Sequence, residues 1–226
     1  MTPTARSPRI FTLIAVGAAI VVFAGFARSW YLKAWFGTPE LPSLVHVHGA
    51  VMTLWFVLYV LQASLIATHR VALHRRIGML GVVLAAMVLL SGVHTAIEAA
   101  RLDRMPGPPL AFLAVPLGDM VVFATFFGLG LGYRHRPDIH RRMMTLASVG
   151  ILTAALARLG LPGGIIGSIV ATVAILTACV AADWRVHRRP HRAFAIGALL
   201  IALSWPLRLW LSGTTAWQRF AGWLVA

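Results

Sequence analysis

The chain is poor in charge and poorer still in acid: 12% of its 226 residues are Asp, Glu, Lys or Arg, and only six are acidic. A water-soluble domain carries about 25% charged residues, so a single soluble core is excluded. The one cysteine, Cys179, lies in an apolar run, which excludes an internal disulfide and a thiolate metal cluster built from this chain alone. Lysine is as scarce. Lys33 is the only one and falls between apolar stretches, so no spanning segment offers an amine for a retinal Schiff base and a rhodopsin-like photoreceptor is excluded. There is no Gly-rich phosphate loop, no nucleophile elbow, no CxxC and no H-E-x-x-H.

What is present is apolar. Hydrophobic residues make up 59% of the chain and the mean hydropathy is +0.83, which describes a multi-pass membrane protein. A spanning helix needs about 20 apolar residues. Seven stretches approach that length, at 10–27, 44–68, 77–99, 110–133, 143–158, 164–182 and 193–214. The fifth is the shortest, and the Pro-Gly-Gly turn after it leaves a re-entrant pair of half-spans as its alternative. The first resembles a secretory signal but reads as a retained signal-anchor helix, because further spans follow it. The whole chain reads as one all-α transmembrane domain, with no soluble domain.

A net charge of +14 would suit nucleic acid on a soluble face, but here the arginines sit in short runs between apolar stretches and act as topology signals. Arg6, Arg9 and the loops 69–76, 134–142 and 183–192 hold thirteen of the twenty basic residues and all fall on one side. With seven spans this puts the N-terminus in the cytoplasm and the C-terminus outside, in a bacterial inner membrane. The same loops repeat: HRVALHRR at His69–Arg76, HRPDIHRR at His135–Arg142 and HRRPHR at His187–Arg192. The pattern predicts a leading helix followed by three related hairpins. Guanidinium forks bind phosphate bidentately, so Arg75, Arg76, Arg141 and Arg142 are candidates for contact with anionic lipid headgroups or a phosphorylated group. His74 and His140, each opening an outgoing helix, have haem ligation as a second reading and simple helix-end placement as a third.

Ionisable residues inside spans are costly and are functional candidates by default. His46 and His48 lie near the outer end of the second stretch, His94 and Glu98 near that of the third, Asp119 in the fourth, Arg158 at the end of the fifth and Arg208 in the seventh. His48, Met52, Trp55, Tyr59 and Gln62 share one helical face that should look into the bundle. On the third stretch His94 and Glu98 are spaced i, i+4. His48, His94 and Glu98 therefore form a candidate ligand set for a b-type haem or a Cu, Fe or Zn ion, with interior packing histidines as the alternative. Asp119 and Arg208 each follow a proline; they either neutralise one another or line a cavity for a proton or an anionic group. Arg158 reads as a snorkelling residue.

At VHVHGAVMTLWF, LHRRIGMLG and IHRRMMTLASV the chain resembles a group of uncharacterised bacterial polytopic inner-membrane proteins with HxHG and HRRxG or HRRxM segments, a likeness that runs from His46 to Arg158 and brings no activity with it. It is more loosely similar to cytochrome b561-type haem proteins, which also place His on adjacent spans. The expectation is a membrane redox or cofactor-binding protein, a membrane-bound oxidoreductase if an enzyme. Its first alternative is a binding or transport protein for a lipid or quinone-like amphiphile, whose cavity is lined by Asp119, Arg208, Trp55, Tyr59 and Gln62. Its second is an accessory subunit of a larger respiratory or photosynthetic complex.

Overall fold

The computed structural model describes residues 3–226, with side chains from residue 9 onward; Arg6, counted above among the retention charges, lies outside the described side chains. The described residues are helical and contain no strand. Helix α1 (Pro3–Phe26) runs through a π-helical turn (Ala27–Tyr31) into the short α2 (Lys33–Phe36). There follow α3 (Ser43–Ala67), α4 (Val71–Arg101), α5 (Pro109–Phe112), α6 (Ala114–Gly132), α7 (Pro137–Val149), α8 (Thr153–Ala157), α9 (Gly164–His187), α10 (Arg192–Ser212) and α11 (Thr215–Val225). Proline stands in the first turn of α5 and α7, where a missing N–H costs nothing.

Six of the described segments are long and apolar enough to cross a membrane, and the protein is a polytopic helical bundle. Their contacts close a ring: α1 packs on α3, α3 on α4, α4 on α6, α6 on α10, α10 on α9, and α9 back on α1. Each ring helix turns large apolar side chains outward, as with Leu13, Leu54, Leu90, Val121, Val170 and Leu203. That outer surface suits hydrocarbon.

The fifth stretch is what the ring encloses. Helices α7 and α8 pack on α1, α6, α9 and α10, and from Arg142 to Leu156 every residue except Met144 and Ala154 is at least nine-tenths buried. This segment is a broken central helix, not a lipid-facing span. Surrounded by protein, it tolerates Arg142, Thr145, Ser148 and Thr153, all buried, that hydrocarbon would reject. Its break falls at Gly150, where a Cβ would press on the Leu146 carbonyl, Val122 and Ile201. Thr153 below the break exchanges a 2.9 Å hydrogen bond with Thr172 on α9.

The expected hairpins α3/α4, α6/α7 and α9/α10 each pack directly, although one limb of the second passes through the centre. Helix α11 is too short to span and lies beyond the last of the seven apolar stretches. It is clasped to the end of α5 by the Trp217 indole, which donates to the Leu110 carbonyl at 2.7 Å, and it packs Trp217 and Ala221 against Ala96, Ala100, Leu113 and Ala114. Its other face leaves Trp223 and Phe220 exposed, the pattern of an amphipathic helix lying along an apolar boundary.

Candidate functional site

At the end of the bundle away from the Arg loops, α1, α3, α4, α6 and α8 leave between them a cavity of about 130 Å³. Phe26, Trp30, Tyr31 and Phe56 give it aromatic walls, Met52 and Ile151 add apolar ones, and His48 and Asp119 bring polar groups. Small residues make the room. Gly49 lets the Trp30 ring lie against α3, where a Cβ would stand 2.9 Å from it, and Gly92 likewise accepts the Met120 sulfur. Tyr31 is fixed by a 3.0 Å hydrogen bond with Thr53, and the Trp30 ring lies tilted against that of His46, centroids 5.1 Å apart. Trp30 and Tyr31 are therefore part of the cavity wall.

His48 and Asp119 share this cavity. The α4 residue that meets His48 is Ser91, whose hydroxyl lies 3.1 Å from Nδ1. His94 is exposed. It stands two residues from both Gly92 and Ala96 on the buried face of α4, so it points about 200° away from them. Glu98 pairs instead with Arg101 at 3.2 Å. The expected set of His48, His94 and Glu98 is thus not assembled, and no group of three His, Cys, Asp or Glu that would hold a metal occurs among the described residues.

Asp119 and Arg208 neutralise one another at 2.6 Å, each side chain 7% exposed. Arg208 also lies over the Trp205 ring at 4.4 Å, and Gly118 supplies the space its guanidinium occupies. The lower part of the α3 stripe faces inward as expected but does not line the cavity. Trp55 is wedged edge-on against Phe123 and Phe127, the Tyr59 hydroxyl donates to Thr145 on the central helix at 3.0 Å, and Gln62, with its amide turned to suit its neighbours, donates to Nδ1 of His74. These three residues join α3 to the core and to the Arg-loop end.

At that opposite end the three His-Arg loops converge. Arg142, expected to meet headgroups, is 2% exposed and gripped bidentately by Asp183 on α9, at 2.9 and 2.8 Å. It also donates to the Asp138 carbonyl, and His187 lies 3.0 Å from the same Asp183 carboxylate. Arg142 is therefore a structural cation, because a carboxylate distant in sequence closes over it. Arg75 and Arg76 do stay exposed. The rings of His74 and His140 meet edge to face at 6.2 Å, and His140 Nδ1 lies 2.8 Å from the Gly130 carbonyl. Slight desolvation pushes the Asp138 carboxyl up, but the His191 hydrogen bond and the amides of the helix start outweigh it and hold it below the ordinary carboxylate range.

Asp183 was not singled out from the sequence. One signal was present: an acidic residue inside an Arg loop, in a chain with only six acids. Compared with protein-family models, curated proteins and solved structures, the chain matches none.

Proposed function

We propose that this membrane protein binds a quinone-like amphiphile, its ring in the cavity between α1, α3, α4, α6 and α8 and its tail leaving between ring helices toward lipid. The observation that carries this reading is the pairing of His48 and Asp119, two groups able to meet carbonyl or hydroxyl oxygens, with walls that are otherwise aromatic and apolar. Binding pockets characteristically combine a mostly apolar lining with a few convergent polar groups. A volume near 130 Å³ suits one six-membered ring, since an engineered apolar cavity of about 150 Å³ takes up benzene. His48 is held by Ser91 and Asp119 by Arg208, so both polar groups are oriented before a ligand arrives.

The test is thermal unfolding of the purified protein in detergent with decylubiquinone as probe. A ligand that binds only the folded state raises the midpoint with concentration. The expected result is such a rise in the unaltered protein and in Thr177→Ala, on α9, which contributes no lining residue, and its loss in Met52→Trp, which fills the space. His48→Gln, which keeps a hydrogen-bonding side chain beside Ser91, checks that a lost response is not a lost fold. No rise with decylubiquinone, or an equal rise in Met52→Trp, rejects the reading.

A further inference from the structure

The Arg-loop end holds a second concavity, an open basin of about 420 Å³ between the start of α7 and the turn that joins α9 to α10. Its lining includes Arg141, Arg142, Arg189, Arg192, His187 and His191, with Asp138 as the single carboxylate on the rim. The charges there are not equivalent. Arg142 is neutralised below the floor by Asp183, and Asp138 is met by His191 at 3.5 Å. Arg189 and Arg192 are exposed and make no ion pair or hydrogen bond among the described residues. Arg141 is held in place, its Nη2 lying 3.0 Å from His187 Nε2 and its guanidinium 4.9 Å above the Phe11 ring.

The backbone is shaped to keep these groups together. Arg188 takes a left-handed conformation with φ of +59° at the end of α9, where its N–H returns to the Trp184 carbonyl, so the chain reverses at once. Pro190 stiffens the turn, and α10 then opens at Arg192 without any side chain capping its first amides. The positive end of a 21-residue helix thus borders the basin alongside two unpaired guanidiniums. Simple retention of positive charge does not require a concavity.

We propose that this basin binds a phosphate-bearing anion, clamped by Arg189 and Arg192 over a floor set by Arg141 and completed by the open amides of α10. Guanidinium forks match phosphate oxygens in pairs, which a diffuse positive surface does not. The site is separate from the amphiphile cavity and uses none of its residues. The phosphate belongs either to an anionic lipid headgroup or to a small water-soluble phosphate compound.

The experiment measures unfolding midpoints in two arms. In neutral maltoside detergent the probe is inorganic phosphate, compared with chloride at equal ionic strength. In nanodiscs the probe is dioleoylphosphatidylglycerol against dioleoylphosphatidylcholine. The expected result is stabilisation in at least one arm, with apparent affinity about tenfold or more weaker in Arg189→Gln/Arg192→Gln, which break no ion pair or hydrogen bond among the described residues. A response to phosphate in detergent assigns a soluble ligand, and a response confined to the anionic nanodiscs assigns a headgroup. Absence of a response in both arms overturns the proposal. So does an unchanged response in Arg189→Gln/Arg192→Gln, or an equal loss in Arg75→Gln/Arg76→Gln, which would make the effect one of general surface charge.

Discussion

Arg142 on the enclosed helix and Asp183 on the ring helix α9 hold each other through two hydrogen bonds of 2.9 and 2.8 Å, with side chains 2% and 1% exposed. Forty-one residues separate them in sequence, and the pair ties the central segment to its enclosure at the end where the three loops meet. Removing one partner from a buried pair is far worse than removing both, because it strands a desolvated charge. Asp183→Asn is therefore expected to lower stability by about 3–5 kcal/mol, read as the unfolding midpoint in detergent. Arg142→Met/Asp183→Leu should recover most of that loss, and a double variant as unstable as the sum of the singles would contradict the coupling.

The Asp119–Arg208 pair depends on a glycine beside it. A Cβ at Gly118 would fall within the Arg208 guanidinium, so Gly118→Ala must displace that side chain. The expected cost is about 1–3 kcal/mol, the range for overpacking. Gly17→Ala, where nothing lies within 4 Å, is the control and should be neutral or stabilising by up to about 1 kcal/mol. Equal effects of the two substitutions would show that helix propensity, rather than the guanidinium, governs Gly118.

Close approach of α1 to the central segment rests on Gly25, whose position would drive a Cβ into the backbone of Ala155. Small residues let helix backbones approach where lipid offers no hydrophobic push. Gly25→Leu should separate α1 from α8 and open the adjoining cavity. The measurable outcome is a lower unfolding midpoint together with loss of any decylubiquinone response, since Phe26 on the next residue forms part of the wall.

Trp217 fastens α11 through its single indole hydrogen bond to Leu110. Trp217→Phe keeps much of the apolar contact and deletes the donor, so about 1 kcal/mol of local stability should be lost. Hydrogen exchange or limited proteolysis will show it as faster opening of 214–226, with protection of the ring helices unchanged. Uniform destabilisation of the whole bundle would mean that α11 is integral to the core.

Several features were legible without the fold. The spans at 44–68, 164–182 and 193–214 are close to α3, α9 and α10, and the inward face of His48, Met52, Trp55, Tyr59 and Gln62 follows from helical spacing alone. The neutralisation of Asp119 by Arg208 was one of two readings, and the 2.6 Å contact realises it. His94 shows where periodicity stops helping. Ser91 and His94 lie on neighbouring parts of one stripe by spacing, but the small buried residues Gly92 and Ala96 decide which way α4 is turned. Trp217 lies beyond the last apolar stretch and Trp30 just after the first, so local hydropathy gives neither its packing partner.

Composition and local hydropathy by themselves determined that this is a membrane-spanning helical protein, where most of its helices fall and at which end its arginines gather. These are properties of single segments, set by a rise of about 1.5 Å per residue and by the cost of charge in hydrocarbon. Only the tertiary structure decided that the fifth segment is enclosed among α1, α3, α6, α9 and α10, that Arg142 belongs to Asp183 and not to lipid, and that Arg189 and Arg192 are left to border a basin. Whether a charge is buried, paired or open depends on what residues remote in sequence bring against it, and that is a property of packing.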